Sequence, residues 1–455
     1  MSHTQELDHR ALYRLPWTDA DNVLSWLEPT SKCNLACEGC YRENVSEHKS
    51  LDEVRKDLDV FNKFRIHDSV SIAGGDPLLH PNIIDIVKMV VSDGHKPILN
   101  TNGLALTEGF LRDLKKAGLV GLTFHVDSRQ GRPGWKNKTE LDLNQLRLNF
   151  AEMVARVGGL SCAFNSTVYE DTLQYVPELV QFASDHIDII DTMVFILYRA
   201  AVQEGAFDFF YNGKQVNGQE LVYSVPETRQ RVDLNAREVV KKIQERFPDF
   251  MPSAYLGGTE KTDSFKWLFT GRFGFPNPNP GDGKVMGYVG PKFMEYVQNA
   301  HHMVKGRYMA YAPKWQMEAG RSALGLSLVE PGMRVVAKNY AKHVVSKPLD
   351  ALKKLHYQTV LIIQPVDMMA DGRQSMCDGC PDVTVYNGQL VWSCRLEEYK
   401  KYGGLVQCVP KATNGCGKAC PPEACEHHEH EKPAPKPVEK QLPAAAKGKN
   451  NRPEA

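Results

Sequence analysis

The sequence predicts an α/β protein built as a partial (β/α)6, TIM-like barrel of parallel strands, followed by an irregular, α-rich middle region and a small cysteine-rich C-terminal domain. Three observations predict it. Short β-rich runs alternate with longer helical patterns between about residues 20 and 200, the mark of repeated βα units. Polar residues gather just past the ends of the predicted strands. Ten of the eleven cysteines fall into two groups, one between 33 and 40 and one between 377 and 425.

The six predicted strands are VLSWLEP (23 to 29), DSVSIAG (68 to 74), KPILNTN (96 to 102), VGLTFHVD (120 to 127), LSCAFNSTV (160 to 168) and DTMVFILY (191 to 198). Helical patterns lie between them near 50 to 64, 82 to 93, 107 to 117, 141 to 157 and 174 to 186. The first of these opens with SLDE, in which Ser50 and Glu53 can each satisfy the other's free backbone N–H. In parallel sheets joined by crossover helices the chemistry gathers at the C-terminal strand ends. Gly75 and Asp76, Asn100 to Gly103, Asp127 and Ser128, and Asn165 to Thr167 occupy those ends here.

Residues 20 to 200 therefore form the expected barrel. Residues 201 to 370 read as a mostly helical, substrate-related region with helices near 236 to 246, 290 to 304 and 333 to 345, broken by loops such as FGFPNPNPGDG. Residues 371 to 425 form the cysteine-rich segment, and 426 to 455 a charged, Pro- and Ala-rich tail that cannot bury a core and is expected to be disordered. Lys plus Arg and Asp plus Glu both number 55, so no global field draws in nucleic acid. The N-terminal residues lack the apolar core of a secretory signal, and the apolar runs are too short to span a bilayer. The expectation is a cytoplasmic protein, at most peripheral to a membrane, whose thiols stay reduced and serve as ligands.

Cys33-Asn-Leu-Ala-Cys37-Glu-Gly-Cys40 follows the first strand directly. Three thiolates on one short loop hold three irons of a [4Fe-4S] cluster and leave the fourth without a protein ligand. The competing reading is a closed zinc or cluster site completed from elsewhere, by His48 or a later cysteine. Gly74-Gly75-Asp76-Pro77 ends the second strand, with two glycines that admit close backbone approach and a carboxylate suited to an ammonium group.

Together with Asn100-Thr-Asn-Gly103, His125-Val-Asp-Ser128 and Asn165-Ser-Thr-Val168, these motifs resemble the radical S-adenosylmethionine (SAM) superfamily over about residues 20 to 200. The resemblance implies SAM on the open iron, a 5'-deoxyadenosyl radical, and an electron donor such as flavodoxin or ferredoxin. It implies Gly74, Gly75 and Asp76 at the methionine amino group, and Asp127, Ser128 and Asn165 at the ribose and carboxylate. Where the family usually has an aromatic residue before the third cysteine this chain has Gly39, so Tyr41 is expected to cover the adenine. Asp76 stands in place of the usual Glu, and Arg199, just past strand six, is a candidate for the carboxylate or for a surface ion pair.

Cys377, Cys380, Cys394 and Cys408 form a C-x2-C-x13-C-x13-C set that suits an auxiliary iron-sulfur cluster or a structural zinc, with Cys416 as a substitute for Cys408. Cys416, Cys420 and Cys425 precede His427, His428 and His430 in a further metal-prone tract. Cys162 is expected to pack as a small hydrophobe. Residues 333 to 357 carry six Lys or Arg against one Asp among apolar residues, a solvated helix face or one that lies on an anionic lipid. His301 and His302 with Arg307 and Tyr308 offer acid-base or phosphate contacts.

The expected activity is hydrogen abstraction from a small-molecule or lipid-like substrate. A radical SAM maturase of a peptide or protein is the alternative, and a non-catalytic zinc or iron-sulfur protein the rival from another class.

Overall fold

The computed structural model describes residues 7–411 apart from 201, 204, 226–230 and 278–283. The predicted tail and Cys416, Cys420, Cys425, His427, His428 and His430 lie outside the described residues.

All six predicted strands form, as β1 (Leu24–Thr30), β2 (Ser69–Gly74), β3 (Lys96–Thr101), β4 (Gly121–His125), β5 (Ser161–Val168) and β6 (Thr192–Leu197). Each pairs in parallel with the next. The crossovers are α1 (Leu51–Phe64), α2 (Ile83–Ser92), α3 (Glu108–Lys116), α4 (Asn144–Val157) and α5 (Val176–Asp185). The capping box on α1 is present, Ser50 Oγ accepting from Glu53 N–H while the Glu53 carboxylate accepts from Ser50 N–H. Each crossover helix buries an apolar stripe on the sheet, as Val54, Leu58 and Phe61 do from α1 at four- and three-residue spacing.

The middle region does more than supply helices: it also completes the sheet. A seventh parallel strand, His356–Ile363, pairs with β6, and Trp267–Phe275 pairs antiparallel to it. Ala254–Leu256 and Lys284–Tyr288 flank Trp267–Phe275, and Tyr13–Arg14 adds to the far edge. The barrel is thus not confined to residues 20–200. The reason lies in packing: Trp267–Phe275 contains Gly271 and Gly274, which suggest a loop, yet a Cβ at Gly271 would stand 2.3 Å from the Tyr357 hydroxyl, so the glycine admits the neighbouring strand.

The expected helices of this region also form, at Ala236–Gln244, Pro291–Lys305 and Pro331–Ser346. Two cores result. One lies between the sheet and α1 to α5 and includes Cys162, fully buried with Leu122, Phe164 and Val180. The other lies on the inward side, where Leu24, Val194, Trp267 and Leu361 belong to one cluster with side chains of the 291–346 helices.

Candidate active site

The cysteine loop begins where β1 stops. Thr30 Oγ1 donates to Glu47 O at 2.9 Å and meets His48 Nδ1 at 2.9 Å, so His48 is committed to the loop base. Asn44 staples the loop, its Oδ1 accepting from Cys33 N–H at 2.9 Å and its Nδ2 donating to Cys33 O at 3.2 Å. The Gly-Gly-Asp motif presses against this loop from β2. A Cβ on Gly74 would lie 2.3 Å from Thr30 O and one on Gly75 2.2 Å from Lys32 O, and Gly74 has φ 102°, so glycine is required at both.

Asp76 serves the scaffold. Its fully buried carboxylate accepts from Thr101 Oγ1, Asn102 N–H and Leu78 N–H, the last capping the turn at Pro77–Leu79. With those partners taken and no surface exposed, the geometry departs from the expected ammonium contact, because the shorter side chain folds back onto its own turn. Burial raises its pKa against the lowering by these bonds. Asn102 then reaches the loop, donating to Asn34 Oδ1 at 2.7 Å and lying 3.7 Å from Cys33 Sγ.

Cys33, Cys37 and Cys40 are partly exposed, and burial raises all three thiol pKa values. The Cys37 thiol is also raised by Asp127 and by the other two cysteines, with Arg132 opposing. Among the described residues no three Cys, His, Asp or Glu side chains converge on one point for a single ion. The donor chemistry fits a cluster: three thiols on one loop, with Asn102 Nδ2 near Cys33 Sγ and Arg42 N–H donating to Cys40 Sγ at 3.5 Å, the kind of N–H contacts that tune cluster thiolates.

The space an aromatic side chain at position 39 would take belongs to Tyr169, whose hydroxyl lies 2.6 Å from where a Gly39 Cβ would sit. Tyr169 follows β5, Tyr198 follows β6, and their rings are 4.8 Å apart, with the Arg129 guanidinium over Tyr169. Arg42 covers the Tyr41 ring at 4.5 Å, and burial raises the Tyr41 pKa. Tyr169 and Tyr198 were not singled out in the sequence, although their position just past strand ends was the available signal.

Asp127 is buried beside His125, 2.8 Å from Nε2, and accepts from Arg129 N–H. Burial opposes its charge, yet His125, Arg129 N–H and Thr167 hold its pKa below the usual range. Ser128 N–H donates to Glu140 Oε1 at 2.6 Å, and Glu140 is itself held by the fully buried Arg147. Asn165 faces the barrel interior. Arg199 turns away to Asp367 at 2.6 Å and to the carbonyls of Val366 and Leu234, a largely buried ion pair in place of either expected role.

Cys377 and Cys380 are hydrogen-bonded to each other, and Cys394 is near enough to act on both electrostatically. The Cys380 thiol donates to Cys377 and lowers its pKa, while Cys380 is correspondingly raised and burial pushes Cys394 up to about 12. Cys408 is not with them. It lies on Gln407–Pro410, opposite Phe209 in a separate small core, and Gln374 Nε2 contacts its sulfur at 3.2 Å. The x13 spacing misled because a helix, Leu396–Tyr402, carries the chain away between Cys394 and Cys408. The two thiol groups are joined through Arg42: its guanidinium pairs with Glu28 and donates to Ser393 Oγ at 2.8 Å, and Ser393 Oγ donates to Glu28 at 2.7 Å.

Inside the barrel is a cavity of about 710 Å³. Ser71, Asn100, Thr123 and Asn165 line one side from β2 to β5, and Trp26, Ile196, Trp267, Phe269, Leu361 and Ile363 are among the apolar side chains that dominate the lining. It runs from the strand starts, at Leu24 and Thr192, to the strand ends, at Asn100 and Ile363. His301 lines this cavity and is bonded to Arg307 O, while His302 is paired with Asp21.

Residues 27–183 match the family model described as the radical SAM superfamily. The chain carries a radical SAM domain. Among curated proteins it is 26% identical over 189 residues to a probable GTP 3',8-cyclase of Methanococcus maripaludis, covering 36% of this chain and 62% of the relative. It is 33% identical over 106 residues to the tungsten-containing aldehyde ferredoxin oxidoreductase cofactor-modifying protein of Pyrococcus furiosus, covering 22% and 30%. The chain thus spans less than two thirds of these relatives. Among solved structures, Streptococcus suis SuiB bound to precursor peptide SuiA matches at TM-score 0.36 and 15% identity, covering 50% of this chain and 46% of that one. The family implies a [4Fe-4S] cluster and SAM.

Proposed function

We propose that this protein is a radical SAM enzyme that takes a hydrogen atom from an apolar, lipid-like or small-molecule substrate held in the barrel cavity. The observation that carries this reading is that long, mostly apolar cavity, whose end at Asn100 lies two residues from Asn102 and hence beside the Cys33 loop. A cavity of this size and lining suits an aliphatic ligand with a few polar groups.

Cys33, Cys37 and Cys40 would hold the cluster, which with SAM supplies reductive sulfonium cleavage. Positioning and exclusion of water fall to the chain's own residues. Tyr169 and Tyr198 form the aromatic wall beside the loop in the role expected of Tyr41. Asp127, held ionised by His125, with Ser128 and Asn165, offers acceptors and donors for hydroxyl and carboxylate groups. Gly74 and Gly75 set the loop's height over the sheet. The electron enters from a flavodoxin- or ferredoxin-type donor. Cys377, Cys380 and Cys394 form an auxiliary iron-sulfur or zinc site whose fourth ligand is not Cys408.

Anaerobic reconstitution with iron, sulfide, reductant and SAM tests the reading. It requires 5'-deoxyadenosine that disappears when Cys33, Cys37 and Cys40 are replaced by Ala. Incubation with deuterated lipid extract should place deuterium in the 5'-deoxyadenosine. An intact four-iron cluster that leaves SAM uncleaved sinks the proposal and favours a non-catalytic protein.

A further inference from the structure

The formal charge of the whole chain is zero, yet residues 291 to 354 carry eleven Lys or Arg against four Asp or Glu. Apolar exposure concentrates in the same segment. Among the described residues the seven most exposed large apolar side chains, from Trp315 at 66% to Met303 at 85%, all lie between 303 and 352. A solvated helix face accounts for the charge but not for this apolar surface.

Four of them, Leu328, Val345, Leu349 and Leu352, belong to one packed unit. The helix Pro331–Ser346 packs on the turns Leu324–Leu328 and Pro348–Leu352. Along it Val335, Lys338, Lys342 and Val345 recur at three- and four-residue spacing and are exposed, while Met333, Val336 and His343 are buried. Three of the four acids are spent inward or locally: Glu330 caps this helix, Asp350 meets His343 and Lys353, and Glu318 meets Lys354. Among the described residues no carboxylate pairs with Lys338, Lys342 or Lys347. The outward field is basic.

Two more of these exposed residues border the cavity. Val304, at 77% exposure, and Trp315 both line the barrel cavity, so its opening at the N-terminal strand ends is rimmed by this surface. The cysteine loop lies at the opposite end.

We infer that this face docks on an anionic lipid bilayer and opens the barrel cavity onto it. The apolar side chains enter the headgroup boundary while the lysines meet lipid phosphates, the pattern by which interfacial helices hold to membranes. Passage of an acyl chain through the mouth rests on the substrate reading above; the docking does not.

The test is co-sedimentation of the full-length chain with phosphatidylcholine vesicles, with or without about a third phosphatidylglycerol. Binding is expected only to the anionic vesicles and weakens with salt. Each lysine near such a surface is worth about fivefold in partitioning, so the combined variant Lys338→Gln, Lys342→Gln, Lys347→Gln should lose at least about thirtyfold after screening. Met303→Ser with Leu349→Ser and Leu352→Ser should lose binding at all salt concentrations, with circular dichroism unchanged from wild type. No sedimentation with anionic vesicles, or unchanged sedimentation of both variants, overturns the proposal. A dimer in light scattering that the serine variant dissociates, without vesicle binding, assigns the face to a second copy and overturns it too. The Cys33, Cys37 and Cys40 triple Ala variant should still sediment, which separates failure of docking from failure of the radical reading.

Discussion

Replacing Arg42 by Met tests the joint between the two cysteine groups. Arg42 and Glu28 are 3% and 6% exposed, and Arg42 Nε donates to Glu28 Oε2 at 2.6 Å while Nη2 serves both Glu28 Oε1 and Ser393. Burial raises the Glu28 pKa, but Arg42 and Ser393 more than reverse it, so the carboxylate is ionised in the fold. Without the guanidinium it keeps one bond, from Ser393, inside the protein. Breaking a buried pair by removing one partner costs about 3 to 5 kcal/mol, or roughly two to three and a half orders of magnitude in the local opening equilibrium. Hydrogen exchange by mass spectrometry on peptides covering 37–44 and 390–398 reads that opening on both sides of the joint. Both should lose protection together, and reconstituted iron should fall at both sites. Adding Glu28→Leu should restore most protection, because two apolar side chains then fill the space of the pair. A single variant that costs under about 1 kcal/mol, or a double variant no better than the single, refutes the reasoning.

Other outcomes follow from local geometry. Gly75→Ala brings a Cβ within 2.2 Å of Lys32 O, a backbone atom that cannot swing aside, so iron at the Cys33 site should be lost while the C-terminal metal stays. Cys394→Ala should strip the C-terminal metal and Cys408→Ala should not, as elemental analysis of the reconstituted variants would show. His67 is buried and stacked on His95 at 3.9 Å, and burial with the neighbouring His95 and Arg65 lowers its pKa to about 3. Its neutral form belongs to the fold, so its contribution is intact above the unfolded value near 6.5 and falls as pH drops toward 3. His67→Leu should flatten the urea midpoint between pH 6 and 4 by up to about 1.4 kcal/mol per pH unit. An unchanged slope would contradict the burial.

The six parallel strands were legible because each is a local event: a β-rich run, then a helix with its own cap and apolar stripe. Cys33, Cys37, Cys40 and the Gly-Gly-Asp turn were legible for the same reason, being contiguous. What the residues between 254 and 363 do was not, since Trp267–Phe275 becomes a strand only when His356–Ile363, some eighty residues on, lies beside it. Composition shows an acceptor at Asp76 and a ring at Tyr41 but not which way the backbone turns them. Cys408 was misplaced because spacing counts residues, while the chain between folds into a helix. Tyr169 needed a partner in another strand, Tyr198, to become visible as a wall.

The seventh parallel strand has a consequence in time. β6 ends at Leu197, and its neighbour in the sheet begins at His356, so a nascent chain exposes an unpaired strand edge while roughly 160 residues are made. At about 5 to 20 residues per second that is on the order of ten to thirty seconds. The thiols of the first loop have left the ribosome long before Ser393 exists to fasten them. Cluster delivery during translation would meet an open half-barrel, so the order of synthesis favours loading after the C-terminal segment has closed over β1, and oxidants have the whole of that interval to reach Cys33, Cys37 and Cys40.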